Sequence, residues 1–174
     1  KNKGRLKLII RAGVGIDNID HAYAESVGIK VHNTPNSSAN AVAELAIGHM
    51  LSLARHIYHA NMSMRKGLWL KKQYTGIELA GKNLGLIGFG RIAQAVAKKA
   101  IALGMHVSYY SLHGPKDVMP TCVYKTKEAI LSDSDIISLH IPHKKGEPPF
   151  IDKKAFSMMK KGMYIINTAR GGVV

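Results

Sequence analysis

The stretch Gly85-Leu86-Ile87-Gly88-Phe89-Gly90-Arg91-Ile92-Ala93 offers the clearest chemistry in the chain. A Gly-x-Gly-x-x-small pattern suits phosphate binding. Gly88 permits a tight turn, Gly90 lets backbone approach a pyrophosphate, and small Ala93 lets the following helix pack closely. The amides around Arg91 and Ile92 open that helix and can face an anion. Taken alone the pattern is weak, because the same glycines serve any tight turn from strand to helix. Context strengthens it: an apolar strand-like run at Leu84 to Ile87 precedes it and a helical run from Arg91 to Leu103 follows. A dinucleotide fingerprint also expects an acidic residue at the end of the next strand, to bind the adenine ribose. Tyr109-Tyr110-Ser111 puts a serine there, and His113 and Lys116 lie near enough in sequence to bind a 2′-phosphate. The expected cofactor is NAD, with NADP open.

The remaining reactive side chains carry weaker signals. Of nine histidines, His49, His56 and His59 fall on one long helical run, and the i, i+3 pair His56/His59 has a spacing that can hold a metal. Packing is the plainer reading, and no metal site is expected. His140 and His143 flank a strand end, where a cofactor contact and simple packing both remain open. The single cysteine, Cys122, excludes an internal disulfide framework and suits a reducing compartment. There is no signal-like segment and no 18-residue apolar run, so the chain is expected to be soluble and cytoplasmic.

These residues need a scaffold, and the hydrophobic pattern supplies one. Leu6 to Ile10 reads as a buried strand entering a glycine-rich loop, followed by a helix at Ala22 to Val27 and a strand at Ile29 to Val31. After the Pro35 turn, one long helix is expected from Ala39 to about Met64, apolar around much of its circumference. Lys66 to Gly81 has no period of its own and reads as a linker or arm carrying Trp69. From Lys82 the chain alternates: strand 84–87, helix 91–103, strand 105–110, helix 126–131, strand 136–141, helix 153–159, strand 164–167. Such alternation indicates a Rossmann-type α/β fold, a parallel sheet with helices on both faces. The expected domains are 1–36, the end of one domain; 37–66, an interdomain helix; and 67–174, the dinucleotide-binding domain.

At 174 residues, 46% hydrophobic and 21% charged, the composition is that of an ordinary globular chain. Its formal charge of +14, from 25 Lys and Arg against 11 Asp and Glu, calls for anionic partners to be considered. The cations are spread in pairs such as Lys71-Lys72, Lys98-Lys99, Lys144-Lys145 and Lys160-Lys161, on expected helix surfaces and loops. Nothing like a helix-turn-helix, a finger or a set of stacking aromatics accompanies them. Neither nucleic acid nor membrane is expected as a partner.

Several segments in order resemble the D-isomer-specific 2-hydroxyacid dehydrogenases: Arg11-Ala-Gly-Val-Gly-Ile-Asp-Asn-Ile-Asp20, Asn33-Thr-Pro-Asn36, Ala43-Glu-Leu45, Gly67-Leu-Trp69, Gly85 to Ala93, Leu139-His-Ile-Pro142 and Asn167-Thr-Ala-Arg-Gly-Gly172. Each stretch is weak singly, but their order and spacing along the whole chain are specific. The pattern is nearest to the branch that oxidises 3-phosphoglycerate for serine biosynthesis. Alternatives are the glyoxylate and hydroxypyruvate reductase branch, or a non-catalytic scaffold or corepressor that senses the dinucleotide. The resemblance implies a homodimer of two-domain subunits, residues 1–36 ending a flavodoxin-like substrate domain, and hydride transfer between C2 of a small 2-hydroxyacid or 2-oxoacid and a nicotinamide.

By the same resemblance Arg170 matches the catalytic arginine. A guanidinium suits that role, because its paired donors can hold a carboxylate and polarise a carbonyl. Val14 and Gly15 match backbone donors to the substrate carboxylate, and Thr34, Thr168 and Ala169 match cofactor contacts. Arg11, Lys71 and Lys72 are candidates for a substrate phosphate. Two departures stand out: Ser111 replaces the acidic ribose ligand, and Ile141 stands where a threonine is common. The family's glutamate and acid/base histidine follow further along than Val174, so the expectation for this chain is dinucleotide binding without turnover.

Overall fold

The computed structural model describes residues 4–144 and 146–174; Lys145, half of one basic pair, lies outside them. The chain divides into two compact units, residues 1–41 and 42–174. In the first, β1 (Leu8–Arg11) and β2 (Lys30–Asn33) pair in parallel, joined through α1 (His21–Ser26). Asp20 caps α1 by accepting from Tyr23 N at 3.0 Å.

The second unit is built on a five-stranded parallel sheet. After α2 (Ala39–Ala54), which starts in the first unit, and α3 (Ile57–Arg65), the chain runs through β3 (Asn83–Ile87), α4 (Arg91–Ala102), β4 (His106–Tyr110), β5 (Val123–Tyr124), α5 (Lys127–Asp133), β6 (Ile136–Leu139), α6 (Lys153–Ser157) and β7 (Tyr164–Asn167). A 3-10 turn at Gly171–Val173 follows. The strand order is β5-β4-β3-β6-β7. The chain therefore builds outward from β3 in one direction and then returns to build from β3 in the other. Between β3 and β6 the order reverses, and open sheets of this kind bind ligands at the carboxyl ends of the strands beside such a reversal.

Local chemistry explains the elements. β3 is almost wholly buried and β6 is buried throughout, and both read as continuous apolar runs because helices cover both faces of the sheet. Leu84 and Leu86 face one side, in a core with Met50, Ala93, Val96 and Ala100. Ile87 joins the other core, with Ile130, Leu131, Ile137, Leu139 and Ile151. Helix α4 buries Ala93, Val96, Ala97 and Ala100, one stripe of helical period. Thr126 and Asp152 cap α5 and α6, accepting from Ala129 N at 3.2 Å and Ala155 N at 2.7 Å. Among the described residues no helix is long and apolar enough to cross a membrane.

One expectation fails: the single helix over 39–64 is two helices. The carbonyl of Ala54 accepts from Ile77 N at 2.8 Å, and a Cβ on Gly76 would lie 2.1 Å from that same oxygen. The returning arm thus takes the bond that would have continued the helix. His56 ends it in the left-handed region at φ 53°, and its ring and that of His59 lie against Tyr74 at 6.1 and 6.4 Å between centroids. The short strand β5 was also unforeseen, since its two residues carry no readable period.

If the arm's packing on Ala54 breaks the helix, Gly76→Ala should lower stability by about 1–3 kcal/mol, as overpacking against backbone does. Gly48→Ala, exposed within α2 with nothing in reach of its Cβ, should raise it by up to about 1 kcal/mol. Denaturant unfolding of both variants measures this, and a Gly76→Ala protein as stable as the parent contradicts the explanation.

Candidate functional site

The in-register pairs Ile87↔Tyr110, Ile87↔Leu139 and Leu139↔Asn167 bring the carboxyl ends of β3, β4, β6 and β7 to one edge of the sheet. The loops leaving that edge begin at Gly88, Ser111, His140 and Thr168, and they hold Gly88, Gly90, Ser111, Thr168, Ala169 and Arg170, with Arg91 and Ile92 opening the helix after the first of them.

In the first of these loops the glycines differ in kind. Gly88 has φ +88°, its amide donates to Tyr110 O at 2.9 Å, and a Cβ there would lie 2.6 Å from His140 O. The protein itself demands that glycine. Gly90 has φ −81° and ψ −171°, ordinary extended backbone, and a Cβ there would meet nothing within 4 Å. No protein neighbour requires a glycine at 90; it keeps open the space in front of the amino end of α4. The first i→i−4 bond of α4 runs from Gln94 N to Gly90 O at 3.0 Å, leaving the Arg91, Ile92 and Ala93 amides ahead of it. A helix start of that form can bind an anion. Ala93 is fully buried, so the small residue there does serve close packing.

The loop after β4 is tied to that turn. Phe89 and Tyr109 stack with centroids 3.8 Å apart, and Phe89 O accepts from Gln94 Nε2 at 3.1 Å and Lys116 Nζ at 3.3 Å. Ser111 is buried, and its Oγ accepts from His113 N at 3.3 Å. After β6, partly buried His140 makes a 2.9 Å bond between Nε2 and Ser138 Oγ, and burial pushes its imidazole down to about 4. It is neutral at physiological pH. The His143 ring lies against Gly172, where a Cβ would be 2.3 Å from Nε2.

After β7, Asn167 braces the turn that carries Arg170. Its side chain accepts from Ala169 N at 3.0 Å and donates to Arg170 O at 2.9 Å. Arg170 is exposed, and its Nη1 donates to Ala169 O at 2.9 Å. Thr168 Oγ1 is the one buried side-chain polar atom without a hydrogen-bond partner among the described residues. Leaving such a group unpaired is costly, and in native proteins it calls for an explanation such as a missing partner.

In the first unit the loop after β1 is held by β2. Gly13 N donates to Thr34 Oγ1 at 2.8 Å, Thr34 N to Gly13 O at 3.1 Å, and Asn33 Nδ2 to Val14 O at 2.7 Å. Ser37 Oγ adds bonds to Thr34 O and Oγ1. Arg11 Nη1 donates to Ala12 O and lies where a Gly13 Cβ would go. Arg11, Val14, Gly15 and Thr34 thus share one braced loop, whereas Lys71 and Lys72 sit exposed on the arm leading into β3. Sequence reasoning passed over Asn33, Ser37 and Asn167 as braces. Their signal is an Asn or Ser beside a strand-end turn, the residue types that bond nearby backbone.

The family model for "D-isomer specific 2-hydroxyacid dehydrogenase, NAD binding domain" matches residues 47–174. Hydroxypyruvate reductase of Thermotoga maritima is 48% identical over 169 residues, covering 97% of this chain and 55% of that protein. D-3-phosphoglycerate dehydrogenase of Methanocaldococcus jannaschii is 43% identical over 173 residues, covering 98% of this chain and 33% of that protein. The crystal structure of D-lactate dehydrogenase from Aquifex aeolicus, complexed with NAD and lactic acid, superposes with a TM-score of 0.84 at 38% identity, covering 98% of this chain and 52% of that one. The chain spans about half the length or less of these relatives.

Two outcomes follow from the loop geometry. Gly90→Val fills space that no protein atom occupies, so it should keep the melting temperature within a few degrees and weaken NADH binding at least tenfold by calorimetry; unchanged affinity means the turn serves folding alone. His140 titrates near 6.5 when unfolded and about 4 when folded, so the unfolded chain binds its proton first as pH falls. Its contribution is complete above about pH 6.5 and declines toward pH 4, by at most about 3 kcal/mol. Denaturant titrations across that window should show the decline, and His140→Gln should flatten it.

Proposed function

The chain belongs to the D-isomer specific 2-hydroxyacid dehydrogenases and carries their NAD-binding domain, and we propose that the whole protein interconverts a D-2-hydroxyacid and its 2-oxoacid with a nicotinamide dinucleotide. The observation that carries this reading is Gly90, a glycine with no protein neighbour that requires it, at the start of α4. The orphaned hydroxyl of Thr168 adds a buried polar group in want of a partner. The residues present fit the cofactor. When bound, it supplies or accepts the hydride.

The chain's own groups do the rest. Gly88 and Gly90 admit the pyrophosphate to the amides of Arg91 and Ile92, Ser111 meets the adenine ribose, and Thr168 and Ala169 line the nicotinamide. Arg170, held out by Asn167, pairs with the substrate carboxylate and polarises the C2 carbonyl, which favours the electron-rich oxygen formed as hydride arrives. In the first unit Val14 and Gly15 offer backbone amides to a carboxylate, on a loop that Thr34 and Asn33 hold rigid. We take residues 1–36 as the end of a substrate domain, 37–66 as the interdomain segment and 67–174 as the dinucleotide domain.

The sequence pattern points to 3-phosphoglycerate as substrate. Two observations favour unphosphorylated acids such as hydroxypyruvate or glyoxylate instead: the 48% identity to a hydroxypyruvate reductase, and the turning of Arg11, a candidate phosphate ligand, onto its own loop. A homodimer is supported by the apolar side chains exposed on α3 and the arm, among them Tyr58, Met64 and Trp69, the last 74% exposed.

NADH- and NADPH-linked rates of the full-length enzyme with hydroxypyruvate, glyoxylate and 3-phosphohydroxypyruvate test this reading. Hydroxypyruvate should be reduced fastest, and Arg170→Ala should lower kcat/KM by roughly 10²-fold or more. A dominant rate with 3-phosphohydroxypyruvate restores the phosphorylated substrate, and no turnover of any 2-oxoacid removes the enzymatic reading. The same preparation should sediment as a dimer; a monomer at micromolar concentration contradicts that part.

A further inference from the structure

The position after β4 where a carboxylate would bind the ribose diol and repel a phosphate holds Ser111, 5% exposed. Its Oγ accepts from the His113 amide, which leaves the hydroxyl proton to donate elsewhere. The chain turns at Gly114, whose φ is +76° and whose amide donates to Ser111 O at 3.1 Å, and then comes back to the phosphate turn. Lys116 is anchored there at both ends. Its backbone N donates to Tyr109 Oη at 2.7 Å, and Tyr109 Oη donates to Lys116 O at 3.2 Å. Its ammonium donates to the carbonyl of Phe89, the residue between Gly88 and Gly90. Tyr109 itself is 1% exposed and stacked on Phe89, so the backbone of Lys116 is anchored to the turn to which its ammonium is bonded.

An ammonium has three donors, and the bond to Phe89 uses one. That bond places the cation at the phosphate turn, on the same loop as Ser111, the hydroxyl that stands where the fingerprint has a carboxylate. Asp117, the acid next in sequence, is exposed. Replacing the acid by a neutral serine removes the negative charge, and a lysine on the same loop adds a positive one, which together favour a doubly negative group over a neutral diol. We propose that Ser111 and Lys116 form a 2′-phosphate subsite that makes the protein prefer NADPH to NADH. The inference rests on the dinucleotide reading above.

The experiment is a set of dissociation constants for NADPH and NADH, read from nicotinamide fluorescence at one salt concentration, for the protein and for Lys116→Met and Ser111→Asp. The parent should bind NADPH at least tenfold more tightly. Lys116→Met should lose roughly tenfold in NADPH affinity with NADH changed less than about threefold, and Ser111→Asp should reverse the preference. Added salt should weaken NADPH more than NADH. NADH bound as tightly as NADPH by the parent overturns the inference alone, as does a Lys116→Met protein that loses both nucleotides equally, since Lys116 would then only brace Phe89. Binding of neither nucleotide by the folded parent overturns the dinucleotide reading as well.

Discussion

At Gly88 the backbone leaving β3 passes so close to the carbonyl of His140 that a Cβ would lie 2.6 Å from it, while the Gly88 amide donates to Tyr110 O and the His140 amide to Ile87 O. These contacts join the exits of the three central strands. Because they fix where β3 ends, they also fix where α4 begins, and with it the direction in which the first amides of that helix point. The loop after β4 then folds onto the same turn through Phe89, Tyr109 and Lys116. A side chain at 88 would part β3 from β6 and disturb all of these at once.

The parts legible in the sequence were those with a short-range cause. Strands β3 and β6 announce themselves as apolar runs because both faces of the sheet are covered. The glycine turn was legible for the same reason. What escaped depends on residues far apart in sequence. The break between α2 and α3 comes from Ile77, over twenty residues beyond the Ala54 carbonyl it caps, and no hydrophobic period in α2 foretells it. Gly85 looks like part of the phosphate motif, yet its space is taken by Ser134 and Ile130, so its role is packing. The difference between Gly88 and Gly90 is likewise invisible without their neighbours.

The excess of positive charge acquires meaning only with location. Two of the lysines spend their charge on exposed acids, Lys125 with Asp133 and Lys160 with Asp135, and such exposed pairs add little stability. Many others, including Lys71 and Lys72, face solvent. A net +14 chain still draws anions toward itself over several ångströms, which raises encounter rates with anions in general without choosing between them. Choice requires a cation held in place by the fold, and at the strand ends Lys116 and Arg170 are each tied to a neighbouring carbonyl.

Backbone amide resonances give the most direct test that the carboxyl edge of this sheet is a dinucleotide site. In a titration with reduced nicotinamide dinucleotide followed by nitrogen-proton correlation spectra, the amides of Gly88 to Ala93 and Ser111 to Lys116 should move first and furthest, with those of Thr168 to Gly172 following. Saturable binding that leaves these amides in place and shifts others contradicts the account.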